Sequence, residues 1–194
     1  MSDLRREVVA LVRSRGYERR EEPFKLASGQ LSHDYVDGKF AVDSGARLEL
    51  VSRAVVEEAK RLGVSFTAAG GLTMGADALA HGVSIVSGCY WFSVRKEPKP
   101  RGREQWVEGA RLRAGSDQVL LVDDVVTSGG SILKAYERVI STGAKVVGVI
   151  PMVDRGEAGK LIFAGLNVPY SALVTYADLE IDPVNGPELV TPAR

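Results

Sequence analysis

The sequence predicts an α/β fold, a mostly parallel central sheet flanked by helices, with a small N-terminal hood of short strands. Three observations lead there. Apolar runs and helical periods alternate through Val64–Ala69, Ala76–His81, Cys89–Val94, Val119–Val122, Ile132–Ile140, Val146–Ile150 and Ala172–Tyr176, as in buried parallel sheets whose crossovers are helices. The stretch from Val119 to Ser131 reads as strand, acidic pair, small-residue loop and helix start. The 194 residues, 45% hydrophobic and 26% charged, suffice for one domain with a real core.

Element by element, Leu4, Val8, Leu11 and Val12 recur at helical spacing after Ser2, a suitable N-cap, and Gly16 stands where a helix ends. From Glu21 to Asp43 the pattern is irregular. Phe24, Leu26, Leu31, Tyr35 and Val36 lie between the turn formers Ser28-Gly29 and Asp37-Gly38, as short strands would. The hood is placed at about residues 17–43, beside the N-terminal helix, and the core at about 44–181. Leu48, Val51, Val55, Ala59 and Leu62 mark a second helix after Ser44, ended by Gly63. The tail 182–194, with Pro183, Gly186, Pro187 and Pro192, reads as irregular.

Composition excludes several roles. Twenty-five basic residues balance twenty-five acidic ones, so no global field steers the chain to nucleic acid or an anionic membrane. No run reaches the roughly 20 apolar residues of a membrane helix, and no signal-peptide core follows Met1–Arg6. The single cysteine, Cys89, excludes an internal disulfide framework and is expected to be buried and inert. A cytoplasmic location is expected. His33 and His81 are too far apart for an i,i+4 metal pair.

The informative segment is Asp123-Asp124-Val125-Val126-Thr127-Ser128-Gly129-Gly130-Ser131. Small residues entering a helix offer backbone N–H groups, hydroxyls and the positive end of the helix dipole to a phosphate. Two carboxylates would repel a bare phosphate, yet they accept hydrogen bonds from vicinal hydroxyls. A ribose 5-phosphate answers both needs, with its phosphate on Thr127–Ser131 and its hydroxyls on Asp123 and Asp124. No nucleotide-triphosphatase P-loop and no G-x-G-x-x-G opens a helix.

These residues resemble the phosphoribosyl-diphosphate motif of type I phosphoribosyltransferases. Three further segments are similar to orotate phosphoribosyltransferases: the hood Phe24–Asp37 with Ser28-Gly29 and Tyr35-Val36-Asp37, the basic stretch Val94–Arg103, and Asp154-Arg155. The resemblance implies transfer of phosphoribose from phosphoribosyl diphosphate to orotate, giving orotidine 5′-monophosphate and diphosphate, a step of pyrimidine synthesis. Mg²⁺ is implied as cofactor, held mainly by the substrate's diphosphate and ribose, with Asp123 or Asp124 reaching it through water and no direct protein ligand. Lys99, Arg101 and Asp124 are the implied catalytic residues. Phosphoribosyl diphosphate is assigned to Arg95, Lys96, Lys99, Arg101, Thr73, Met74 and the run Asp123–Ser131, and orotate to Thr127, Arg155 and Tyr35.

Elementary chemistry supports the assignment. Residues Arg95–Arg103 carry five cations against one Glu, and cations placed on a departing diphosphate stabilise the transition state more than the ground state. A guanidinium such as Arg155 forks onto a planar carboxylate. The resemblance also implies a homodimer in which segment 95–109 completes the neighbour's site.

The chain departs from the family pattern at three places. Ala27 stands where many members have a hood lysine, with Lys25 as its candidate substitute, and Met74 stands where many have a lysine in the diphosphate loop. Arg101 replaces a histidine and stays charged, which makes Lys99 the candidate for protonating the leaving group. Transfer to another base, or regulation through the same ligand without chemistry, remain the alternatives.

Overall fold

The structure, a computed structural model, describes residues 2–26, 29–98 and 105–184. Helix α1 (Asp3–Leu11) is capped by Ser2, whose hydroxyl accepts the Arg5 N–H, and runs into a π-helical turn over Val12–Gly16. Strands β1 (Tyr17–Lys25) and β2 (Leu31–Val36) form a separate antiparallel pair. The first strand begins four residues before the irregular stretch expected from Glu21. A short helix α2 (Gly38–Ala41), capped by the Asp37 carboxylate, and the long helix α3 (Gly45–Arg61) lead to the main sheet.

That sheet is built from β3 (Ala68–Leu72), β4 (Tyr90–Val94), β5 (Val107–Gly109), β6 (Gln118–Val126), β7 (Lys145–Asp154) and β8 (Val174–Thr175). Their spatial order is β5-β4-β3-β6-β7-β8, and every neighbouring pair is parallel except β4 with β5. Helices α4 (Asp77–Ser87), α5 (Gly130–Ile140), α6 (Ala158–Gly165) and α7 (Tyr176–Leu179) complete the chain order.

One correction to the sequence expectation arises here. The run Val64–Ala69 is not the strand; β3 starts at Ala68 and includes Gly70 and Gly71. A Cβ at Gly70 would lie 2.2 Å from the Phe92 carbonyl oxygen, and one at Gly71 would lie 2.2 Å from that of Val122. The neighbouring strands therefore approach too closely for any side chain, which overrides the poor strand propensity of glycine. The run Ala76–His81 lies almost wholly in α4.

The period-two alternation of β6 explains the layers. Leu120 and Val122 point into a core with Val8, Val12, Val51, Val55 and Leu79 from α1, the π-helical turn, α3 and α4. Val119 and Leu121 point the other way, onto Ile132, Val139 and Phe163 from α5 and α6. Among the described residues, no helix is long and apolar enough to cross a membrane.

From β3 the chain crosses through α4 to β4 on one side; from β6 it crosses through α5 to β7 on the other. The carboxyl ends of β3 and β6 thus border a switch point, where the diverging crossovers leave a crevice for ligand.

Candidate active site

At that switch point β6 delivers Asp123 and Asp124, then the loop Thr127–Gly129 and α5. Gly129 is the N-cap residue with φ +77°, and a Cβ there would lie 2.6 Å from Ile162 Cδ1. Glycine permits both the left-handed turn and the close packing. Gly130 and Ser131 are exposed, and Thr127 and Ser128 half-buried, so the first N–H groups of α5, unpaired within the helix, face outward. Val125 and Val126 are the last residues of β6 and pair with Val153 and Asp154.

Asp123 and Asp124 are both buried. The Asp124 N–H donates to Asp123 Oδ1 at 3.0 Å, and the Val125 N–H to Asp124 Oδ1 at 2.8 Å. Burial pushes the Asp123 carboxyl up to about 8, with the charge of Asp124 adding to it. Gly75, in the loop after β3, packs on both: a Cβ there would lie 2.5 Å from Asp124 Oδ1 and 2.8 Å from Asp123 Oδ1.

The loop itself is held from behind. Thr73 and Ser93 donate their hydroxyls to the two oxygens of Asp77, at 2.6 and 2.5 Å, and the Thr73 N–H bonds to the Val94 carbonyl at 2.8 Å. The Thr73–Met74 peptide is cis, and the Met74 side chain is exposed. Thr73 and Met74 thus belong to the loop after β3 that, through Gly75, packs on the acidic pair of β6.

Sequence reasoning missed two residues here, Asp77 and Lys39. Lys39 Nζ lies 3.0 Å from Asp124 Oδ2 and 3.6 Å from Asp37 Oδ1. Burial alone would depress this ammonium, but the hydrogen bond and charge of Asp124, with Asp37 behind them, hold its pKa above that of a free lysine. No local pattern could reveal a contact spanning 85 positions.

Asp154 and Arg155 do not pair with each other. Asp154 accepts from the Tyr170 hydroxyl and the Gly156 N–H; burial pushes its carboxyl up, against the pull of the Tyr170 bond. Arg155 turns the other way, under the hood, and is only 2% exposed. Its Nη1 donates to the Asp34 carbonyl at 2.9 Å and its Nη2 to Ser32 Oγ at 3.5 Å, while Nε is buried without a partner among the described residues. Burial lowers its pKa, opposed by the charge of Asp34. A buried guanidinium with an unsatisfied N–H is suited to a planar anion. Tyr35, on β2, has Phe24 edge-on at 5.4 Å and the Arg20 guanidinium 4.0 Å from its ring centroid.

Of the basic segment, Lys99 and Arg101 lie outside the described residues, as do Ala27, Ser28 and the tail from Asn185. Its flanks are clear. Arg95 donates to the Glu97 carbonyl and pairs with Glu108 at 3.4 Å. Lys134 of α5 donates to the Lys96 carbonyl at 2.8 Å, and the Arg138 guanidinium lies 3.6 Å from the Trp106 ring centroid.

Cys89 corrects the expectation of a buried thiol: just before β4 it is half-buried rather than fully enclosed, although burial still pushes its thiol up. His81 packs edge-on against Trp91, and the His33 ring bonds the Arg20 carbonyl. Among the described residues no group of three His, Cys, Asp or Glu side chains gathers to hold a metal ion.

Comparison with known proteins agrees with this geometry. The phosphoribosyl transferase domain family matches residues 71–165, which include both walls of the crevice. The orotate phosphoribosyltransferase of Aquifex aeolicus is 35% identical over 181 residues, 90% of this chain and 97% of its own. That of Thermosynechococcus vestitus is 37% identical over 185 residues, 93% and 95% of the two chains. A solved Mycobacterium tuberculosis orotate phosphoribosyltransferase in complex with phosphoribosyl diphosphate superposes with a TM-score of 0.75 at 29% identity, covering 92% of this chain and 99% of that one.

Proposed function

The chain belongs to the orotate phosphoribosyltransferase family, and from that premise we infer that the β3–β6 crevice joins phosphoribosyl diphosphate to orotate, releasing diphosphate and orotidine 5′-monophosphate for pyrimidine synthesis. One arrangement carries this reading: a phosphate cradle at the start of α5, directly after two carboxylates buried at the switch point.

In this reading the 5-phosphate sits on Thr127–Ser131, and Asp123 and Asp124 take the ribose hydroxyls. The backbone at Thr73 and Met74 meets the diphosphate from the opposite wall. Arg155 forks onto the orotate carboxylate, Thr127 touches the base, and Tyr35 lies along its face. Arg95, Lys96, Lys99 and Arg101 supply cations to the leaving diphosphate, and Lys99 protonates it. Charge builds on that group as the glycosidic carbon loses its bond, so fixed cations act mainly in the transition state.

Mg²⁺ suits this site as a partner of the substrate. Lys39 already engages Asp124 Oδ2, and in this reading Asp123 or Asp124 reaches the ion through water. When bound, the ion supplies charge neutralisation on the diphosphate.

A cytoplasmic homodimer is part of the same proposal, with segment 95–109 completing the partner's site. Exposed Ile85, Tyr90 and Trp91 on α4 and β4 offer an apolar face for association. The decisive experiment is diphosphate release from phosphoribosyl diphosphate and Mg²⁺ against a panel of bases. Release with orotate alone is expected; release with a purine or uracil instead would change the base, and none with any base would point to a ligand-binding regulator.

A further inference from the structure

We propose that Lys39 is a positioning residue of the phosphoribosyl-diphosphate site, aiming Asp124 at the ribose and cancelling its charge as the anionic substrate arrives; this rests on the functional reading above. The geometry leaves little slack. Lys39 Nζ holds Asp124 Oδ2 at 3.0 Å while the Val125 N–H holds Oδ1 at 2.8 Å, so the carboxylate is fixed at both ends. The backbone carrying Lys39 is pressed against the same residue: a Cβ at Gly38 would lie 2.9 Å from Asp124 Cβ and 2.6 Å from Met152 Cε. The Asp37 carboxylate accepts the Lys39 N–H at 3.0 Å and so sets the turn from which the side chain leaves. Yet the Lys39 side chain is 55% exposed, which puts its ammonium at the mouth of the crevice.

The acidic pair poses a physical problem that this contact solves. Phosphoribosyl diphosphate brings a 5-phosphate and a diphosphate to a site lined by two carboxylates, and an uncompensated carboxylate repels such a ligand. An ammonium on a flexible stem can stay on Asp124 or lean to a substrate phosphate. Either way the local charge stays near balance. Oδ2 also keeps a lone pair free to accept from a ribose hydroxyl.

The test uses the full chain with Lys39→Met and Lys39→Arg, measuring KM for each substrate, kcat and the thermal midpoint at low and moderate salt. Lys39→Met should raise KM for phosphoribosyl diphosphate about tenfold, and by more at low salt, where repulsion is less screened. KM for orotate should stay within about twofold, since the base site is elsewhere. Lys39→Arg should restore most of the loss. A merely structural lysine would instead lower the midpoint and kcat with KM for phosphoribosyl diphosphate unmoved; that result, or an arginine variant as impaired as the methionine one, overturns the proposal. Should Lys39→Met fold poorly, Lys39→Gln removes the same charge and is judged by the same criteria. Failure of the wild-type chain to release diphosphate would sink the functional reading itself, so the two failures are distinguishable.

Discussion

Replacing Gly75 with alanine puts a methyl carbon 2.5 Å from Asp124 Oδ1 and 2.8 Å from Asp123 Oδ1, where ordinary contact begins at 3.4 Å. The overlaps, about 0.9 and 0.6 Å, lie on the steep side of the van der Waals wall. Relief can come from swinging the carboxylates, which breaks the bonds from the Asp124 and Val125 N–H groups, at about 1 kcal/mol each. It can also come from shifting the loop between β3 and α4, which Thr73, Ser93 and Asp77 resist. Either route misplaces a ribose ligand by roughly 1 Å, a displacement that costs on the order of 100-fold in rate. The stability loss of about 2 kcal/mol should lower the thermal midpoint by only about 4–8 °C in a chain of this size. The assay is diphosphate release at saturating orotate with phosphoribosyl diphosphate varied. A kcat/KM within about twofold of wild type would refute the claim that Gly75 is glycine because the acidic pair needs its space.

Arg155→Ala should reduce kcat/KM for orotate by about 100-fold, the scale of one buried charge-assisted contact, with KM for phosphoribosyl diphosphate nearly unmoved; an equal rise in both KM values would count against a carboxylate fork. Burial raises the folded-state pKa of Asp123 to about 8 from the ordinary 3.8 of an aspartate, so its contribution to stability is full below about pH 4 and lost as pH rises toward 8. Asp123→Asn removes that slope, and the midpoint of the variant relative to wild type should rise between pH 5 and 8; a flat difference would show Asp123 ionised throughout. Lys99→Ala should cut kcat at least about tenfold while phosphoribosyl diphosphate still binds, measured by turnover and calorimetry, and unchanged turnover would remove the basic segment from the mechanism. Mixing Lys99→Ala with Asp123→Asn should restore activity if the segment serves the partner's site, and none if each subunit serves itself.

What the sequence revealed was whatever is local. Val119–Ser131 could be read directly because strand, acidic pair, glycine turn and helix follow one another within a few residues. The strand β3 was misplaced because Gly70 and Gly71 look like a turn until Phe92 and Val122 are known to press on them. Lys39 and Asp77 escaped notice for a different reason. Each acts through a partner brought close by the fold, Asp124 in one case and Ser93 in the other, and no spacing rule encodes that. The burial of Arg155 was equally hidden, since it depends on β2 laying the Asp34 carbonyl over it.

Helix α5 has one more consequence. It starts at the phosphate cradle, and one and two turns further on Lys134 and Arg138 secure the two flanks of the basic segment, at Lys96 and Trp106. The moorings therefore sit about 6 and 12 Å along a rigid rod from Gly130, which makes the helix a ruler. Changes between the moorings can alter which cations are offered, but the ruler keeps both points of attachment at constant distances from the first residues of α5.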